Sequence, residues 1–205
     1  SIASFLSLIV DRFPEKSIIF PASHCDSCGK QLAIRDLIPI FSQLINHSRC
    51  RFCHTKIPFW YGLLELYFGV IVVLYYCALL SLDQVFILFF STTLSLYDLK
   101  CQEFPLLVWL LPSIFLLFVT PINALAIILL AFGIMAELID LKIGSGDFFY
   151  LASLSLLLDV QTILWIIELG SLSGIIYYFF QTNKRIPFVP FLFLGYLILF
   201  IFNHD

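Results

Sequence analysis

The sequence predicts an all-α polytopic membrane protein of about eight transmembrane helices, the first of them partial, with one small polar loop domain. Three observations carry this expectation. Of 205 residues, 61% are hydrophobic and 12% are charged, whereas a soluble domain has roughly 45–50% apolar and about 25% charged residues. The apolar residues fall into long runs, at 59–80, 84–97, 106–120, 122–139, 148–158, 161–180 and 188–202. When these runs are threaded alternately across a bilayer, every Lys and Arg lands on one side. A mean hydropathy of +1.01 and 23 Phe exclude a soluble globule, a disordered chain, a collagen-like repeat and a disulfide-dense miniprotein. The net charge of −3 offers nothing to a nucleic acid. The expected surroundings are membrane lipid.

A helix crosses a ~30 Å hydrocarbon layer with about 20 mainly apolar residues. Residues 1–10 (SIASFLSLIV) read as the last half of a further span. The chain opens on Ser rather than Met, and a ten-residue stub running straight into Asp11-Arg12 is not a complete signal peptide. Segments 11–58, 98–105, 140–147 and 181–187 then share one side, with 81–83, Pro121 and 159–160 opposite. Of the 11 basic residues, seven lie between Arg12 and Lys56, and the rest are Lys100, Lys142, Lys184 and Arg185. Cytoplasmic loops carry the excess of Lys and Arg, so the first side is expected to be the cytoplasm. Run 148–158 is short for a span. It must tilt, or continue past Asp159 in protein-lined surroundings. Merging 148–169 into one span would put Lys184 and Arg185 outside unless 171–180 re-enters. The expected organisation is a helix end over 1–10, a loop domain over 11–58 and a membrane domain over 59–205.

The loop 11–58 holds Cys25-Asp26-Ser27-Cys28 and Cys50-Arg51-Phe52-Cys53, with 21 residues between the pairs. Two such turns can direct four thiolates at one tetrahedral Zn²⁺, and the metal can supply the folding energy that a loop without a core lacks. Two disulfides or four free thiols are the alternatives, and a reducing cytosol disfavours disulfides. His24, His47 and His54 flank the turns as expected surface residues. A zinc with four filled positions has no open site for catalysis, so chemistry is sought elsewhere.

Charged groups at a membrane carry a functional expectation. Asp83 and Asp159 fall in outer turns and read as solvated turn residues, and Glu137 and Asp140 as interfacial ones. Glu65 lies within a span, one turn from Tyr61, and Glu168 lies within another with nothing around it to suggest a role. Asp98 ends one run in Leu96-Tyr97-Asp98-Leu99, and Asp147 opens another in Gly144-Ser145-Gly146-Asp147. Both lie at cytoplasmic helix ends, at similar depth. Two carboxylates sharing a site cannot both ionise easily, so one can act as base and the other as acid. The alternative is that each is a helix cap, Asp147 especially.

These motifs together resemble the type IV prepilin peptidases, intramembrane aspartic proteases of the GxGD type. Ala3-Ser4-Phe5-Leu6 through Arg12-Phe13-Pro14 is similar to the family's opening segment, and Ser23-His24-Cys25 to Cys28, Asp36-Leu37-Ile38-Pro39 and the second CxxC follow its zinc loop. Ile57, Tyr61, Glu65 and Leu66 match I-x-x-x-Y-x-x-x-E-L, Asp98 with Pro105 matches D-x6-P, and Gly144 to Asp147 matches GxGD. Ile186-Pro187-Phe188-Val189-Pro190-Phe191 resembles I-P-F-G-P-F, followed by Gly195. The resemblance implies Asp98 and Asp147 as the catalytic pair and Cys25, Cys28, Cys50 and Cys53 as ligands of a structural zinc. It implies prepilin or pseudopilin substrates of pilus, secretion or competence systems, cut at the cytoplasmic face of the bacterial cell membrane between a basic leader and an apolar helix. Many members also methylate the new N-terminus with S-adenosylmethionine, for which Glu65 is the residue to inspect. Three departures stand out: GxGD is followed by Phe148-Phe149 in place of x-K, the glycine of I-P-F-G-P-F is Val189, and Lys100 stands where many relatives carry a second acid. A proton-coupled transporter and a zinc-loop membrane scaffold are the readings from other classes. A carrier is expected to show internal repeats, and the two halves share none.

Overall fold

The computed structural model describes residues 27–31, 49–56, 60–101, 104–139, 144–180 and 186–202, without the side chains of Tyr61 and Cys101. These residues form seven helices and no strand: α1 (Trp60–Tyr76), α2 (Leu82–Cys101), α3 (Leu106–Val119), α4 (Ala124–Leu138), α5 (Ser145–Ser155), α6 (Val160–Phe180) and α7 (Val189–Phe202). Each expected apolar run after residue 58 contains one helix. The chain divides into two compact units, Ser1–Val85 and Phe86–Asp205.

Polar residues in the short turns start the helices. Ser81 and Gln84 form a reciprocal capping box ahead of α2, with Ser81 N–H donating to Gln84 Oε1 at 2.8 Å and Gln84 N–H to Ser81 Oγ at 3.3 Å. Asn123 Oδ1 accepts from Ala126 N–H at 2.7 Å to open α4. Asp159 Oδ2 accepts from Thr162 N–H at 3.3 Å to open α6. Exposed Asp83 lies in the first turn of α2, where a carboxylate complements the helix dipole. Both turn acids are exposed, as expected of solvated turn residues, and the structure adds that each sits at a helix start.

In the second unit, α5 touches α3, α4, α6 and α7. It spans Ser145–Ser155 rather than the expected 148–158. The helix starts inside the Gly-Ser-Gly-Asp segment and stops early, because Leu157 and Leu158 N–H fold back onto Leu154 O at 3.0 and 2.9 Å. Eleven residues rise about 16 Å, half a bilayer, yet Phe149 through Ser155 are all buried. A helix enclosed by protein need not reach from one interface to the other.

Small residues set the closest helix crossings. A Cβ on Gly195 of α7 would lie 2.7 Å from Ile166 O and 3.2 Å from Gly170 N, and one on Gly170 of α6 would lie 3.1 Å from Phe191 O. On α4, a Cβ on Gly133 would lie 2.7 Å from the Phe149 ring. Outward faces are apolar too: Phe118 is 87% exposed, Phe180 86% and Leu138 80%. Apolar side chains on both faces suit a helical protein with lipid outside. By length and composition α6, with 21 residues, can cross a membrane, whereas the apolar helices Gly62–Tyr76, Leu106–Val119, Ala124–Leu138 and Val189–Phe202 are shorter.

The α6–α7 crossing makes a direct prediction. Gly195→Ala sets a methyl against backbone that cannot move away, and should destabilise the protein by about 1–3 kcal/mol, read as a lower thermal midpoint in detergent. Gly69→Ala on α1, whose added methyl meets nothing within 4 Å, should leave the midpoint unchanged or raise it.

Candidate active site

Asp98 lies in the last turn of α2, just past the apolar run 84–97. Its carboxylate does not cap its own helix. Oδ2 accepts from Val189 N–H at 3.0 Å, and Phe188 N–H also donates to this carboxylate. Val189 is the first residue of α7, and the first N–H groups of a helix have no partner within it. Pro187 and Pro190 flank these donors, and proline is favoured where a helix begins. The Ile186–Phe191 segment thus starts α7 and, in the same turn, anchors Asp98. Burial pushes the Asp98 carboxyl above its usual range, against the downward pull of the two N–H bonds.

Asp147 lies in the first turn of α5, just ahead of the run 148–158. The N-cap of α5 is Gly144, without a side-chain cap bond, so Asp147 is a first-turn residue and not the cap. Two glycines keep the space around it narrow. A Cβ on Gly146 would collide with the Phe104 ring, and one on Gly144 would lie 3.0 Å from Asp147 Oδ2. The Asp147 carboxyl is pushed up to about 7, first by burial and then by the nearby charge of Asp98. The fold therefore brings the two aspartates from the ends of α2 and α5 into each other's field. A pair in which backbone donors support one ion while burial protonates the other can act as base and acid near neutral pH. At the edge of this pair, Ser145 Oγ donates to Glu137 Oε2 at 2.6 Å, and both residues lie toward solvent.

A second cluster lies in the first unit. The Sγ atoms of Cys28, Cys50 and Cys53 all lie within 4.8 Å of one another. Tetrahedral Zn–S bonds of about 2.3 Å place sulfurs about 3.8 Å apart, so these thiols need little movement to hold a metal ion. Both turns bend alike: the residue after the second Cys, Gly29 at φ 66° and His54 at φ 56°, is left-handed. His54 N–H donates to Cys50 O at 2.9 Å, Cys50 N–H donates to Thr55 O at 2.8 Å, and Arg49 bridges Lys56. Cys50 is 2% exposed, and His54 is exposed, as expected for a surface residue. Lys30 Nζ stands 4.7 Å from the centre of the Phe52 ring, tying the first turn to the second. Cys25, His24 and His47 lie outside the described residues.

Glu65 is half-buried on α1, in the unit that carries the cysteines. Lys100 is exposed in the last turn of α2, and Asp140, Lys142, Glu103, Lys184 and Arg185 lie outside the described residues. What the sequence did not reveal was the Phe188–Val189 turn as the anchor of Asp98. The available signal was a pair of prolines opening an apolar run, which marks unpartnered helix donors.

The profile of the bacterial peptidase A24 N-terminal domain matches residues 1–79. A prepilin leader peptidase/N-methyltransferase from Vibrio cholerae is 26% identical over 234 aligned residues, taking in 97% of this chain and 92% of that protein. The chain is thus similar along nearly its whole length to a prepilin leader peptidase/N-methyltransferase. A prepilin leader peptidase/N-methyltransferase from Myxococcus xanthus is 39% identical over 71 residues, 34% of this chain and 21% of that relative. A type 4 prepilin-like proteins leader peptide-processing enzyme from Escherichia coli is 34% identical over 84 residues, 32% of this chain and 31% of that relative. These two matches span well under two thirds of the relatives' lengths. No solved structure matches the chain.

The cysteine cluster should be visible by spectroscopy. Added Co²⁺ should give the intense near-ultraviolet thiolate-to-metal band, and Cys50→Ser should remove most of it. An unchanged band in Cys50→Ser would exclude these thiols as the ligands.

Proposed function

We propose that this protein is a membrane-embedded aspartic endopeptidase that removes the basic leader of prepilins or pseudopilins at the cytoplasmic edge of the bacterial membrane. The observation that carries the reading is that Asp98 and Asp147 lie in each other's field, with the Asp147 carboxyl raised to about 7 first by burial and then by the Asp98 charge. The similar proteins are prepilin leader peptidases, which supports prepilins as the substrate class. The density of exposed Phe and Leu supports the membrane setting.

In the proposed reaction the apolar helix of the substrate lies along the apolar faces and its scissile bond meets the dyad. Asp98, whose ionised form the Phe188 and Val189 N–H groups favour against the effect of burial, takes a proton from water. Asp147, protonated through burial and the field of Asp98, hydrogen-bonds the scissile carbonyl oxygen and gives it a proton as the tetrahedral intermediate forms. Collapse of the intermediate breaks the C–N bond as the proton on Asp98 passes to the leaving amine and one hydroxyl of the intermediate returns a proton to Asp147. The half-buried position shields both carboxyl groups from bulk water and strengthens their effect on the carbonyl.

Cys28, Cys50 and Cys53, with Cys25 as fourth ligand, would hold a structural zinc that closes loop 11–58 and leaves no metal position open for catalysis. Methylation of the new N-terminus with S-adenosylmethionine is proposed from the relatives' names. Among the described residues Glu65 is the group suited to a sulfonium charge. One half-buried carboxylate does not make a cofactor pocket, so no step is derived through that cofactor.

A cleavage assay with purified protein and a prepilin decides the central claim. Asp98→Asn and Asp147→Asn should each lower the rate at least about 100-fold, and full cleavage by either would end the dyad reading. Mass spectrometry of the product with cofactor present separates a peptidase from a peptidase that also methylates. The pH profile of kcat/KM should be bell-shaped. Its upper limb lies near pH 7, where Asp147 loses the proton it must donate, and its lower limb lies above the ordinary carboxylate range, where Asp98 becomes protonated. Val189→Pro deletes one N–H that favours ionised Asp98, at a helix position that tolerates proline. A hydrogen bond to a charge contributes about 1.5–3 kcal/mol, so the lower limb should rise by roughly one pH unit. An unmoved limb in a folded variant would show that this donor does not hold the Asp98 charge.

A further inference from the structure

The buried hydroxyls of α2 follow a pattern that one residue breaks. Thr92 Oγ1 donates to Leu88 O at 2.7 Å and Thr93 Oγ1 to Phe89 O at 2.8 Å, the usual back-bond of Thr within a helix. Ser91 Oγ accepts from the Tyr150 hydroxyl at 2.7 Å. Buried Ser113, Ser153 and Ser155 on neighbouring helices are likewise hydrogen-bonded. Ser95 is 6% exposed, and among the described residues its Oγ is the buried side-chain oxygen with no hydrogen-bond partner. An unpaired buried hydroxyl costs about 1–3 kcal/mol, a penalty that alanine would avoid.

The position of Ser95 suggests what that hydroxyl is for. It comes four residues after Ser91 and three before Asp98, so the three share one face of α2. The Ser91 end of this face meets Tyr150 of α5, and the Asp98 end carries the charge that Asp147 of α5 feels. Ser95 lies between those two meeting points. Side chains three residues apart on a helix have Cβ atoms about 5–6 Å apart, which lets their oxygens approach to the roughly 4.5 Å that a bent water spans with two hydrogen bonds of about 2.8 Å.

We infer that Ser95 is a positioning residue that holds the hydrolytic water beside Asp98. The inference rests on the peptidase reading above. The water donates one hydrogen to Asp98 and the other to Ser95 Oγ, which leaves a lone pair aimed at the scissile carbonyl carbon. In the step, the O–H bond facing Asp98 breaks and its proton moves to that carboxylate. The freed electron pair forms the new C–O bond while the carbonyl oxygen takes the Asp147 proton. The O–H held by Ser95 stays intact and fixes the direction of attack.

The test uses the full chain with a prepilin substrate. Ser95→Ala should lower kcat about tenfold or more, with KM within twofold of the parent and the thermal midpoint unchanged or higher. Ser95→Thr, which returns the hydroxyl, should recover most of the lost kcat. A Ser95→Ala enzyme within twofold of parental kcat would overturn the inference, as would a KM rise at constant kcat, which points to substrate binding. Unfolding of Ser95→Ala would also overturn it, because a hydroxyl without bonds inside the protein cannot be what holds the fold. Retained cleavage by Asp98→Asn or Asp147→Asn would instead remove the peptidase reading, so the two failures are distinguishable.

Discussion

The enclosure of α5 by its neighbours is the constraint on which the second unit depends. An eleven-residue helix that met lipid would leave its ends and its serines in hydrocarbon, where unsatisfied polar groups are costly. Here neighbouring helices satisfy them. Trp109 Nε1 donates to Phe149 O at 3.0 Å and to Ser153 Oγ at 2.9 Å, and Ser113 and Ser153 hydroxyls pair at 2.8 Å. Asn123 Nδ2 donates to Ser155 O while its Oδ1 caps α4, so one side chain ends α5 and starts another helix. Phe149 stacks at a tilt on Trp109 with ring centres 4.9 Å apart, and Phe90 stacks on Tyr150 at 6.0 Å. These contacts fix the depth and rotation of α5. Since Asp147 lies in its first turn, they also fix one half of the proposed dyad.

The other half is fixed from a different direction. Asp98 belongs to α2, but its two backbone donors belong to the start of α7, and α7 is locked on α6 through Gly170 and Gly195. A movement of α7 along α6 would therefore reach the carboxylate directly. The same bond has two consequences. It partners amides that a helix start leaves open, and it favours the ionised form of Asp98, which in turn raises Asp147. Structural cap and proposed base are thus one group. The helix-cap reading of the sequence was close to half of the answer, with the capped helix being α7.

Much of this arrangement was legible in the chain. Seven apolar runs after residue 58 correspond to seven helices because polar turn residues such as Ser81, Asn123 and Asp159 separate them. Cys28 of the first CxxC turn and both cysteines of the second form the thiol cluster, and the left-handed bend after each second Cys is a local property of the turn. What the sequence could not supply depended on contacts between distant segments. The true extent of α5 follows from its burial rather than from its apolar length. The anchoring of Asp98 joins residues 91 positions apart. The unpaired hydroxyl of Ser95 reads in sequence as one more small polar residue in Ser91-Thr92-Thr93-Leu94-Ser95, and its neighbours' bonds are what set it apart.

The departure after GxGD acquires a physical reading from the same packing. The position where the resemblance leads one to expect a lysine holds Phe149, which is buried against Trp109, Phe104 and Gly133. An ammonium there would enter the aromatic centre of the unit, at the point that fixes α5. Any positive influence on the dyad has to come from another source, and the Phe188 and Val189 amides provide one. They bring the partial positive end of a helix to Asp98 without a side chain, a counter-ion or a titrating group. Because these donors carry no titratable proton, they support Asp98 alike on both sides of neutrality. Asp147 is then the member of the pair whose proton the surroundings control.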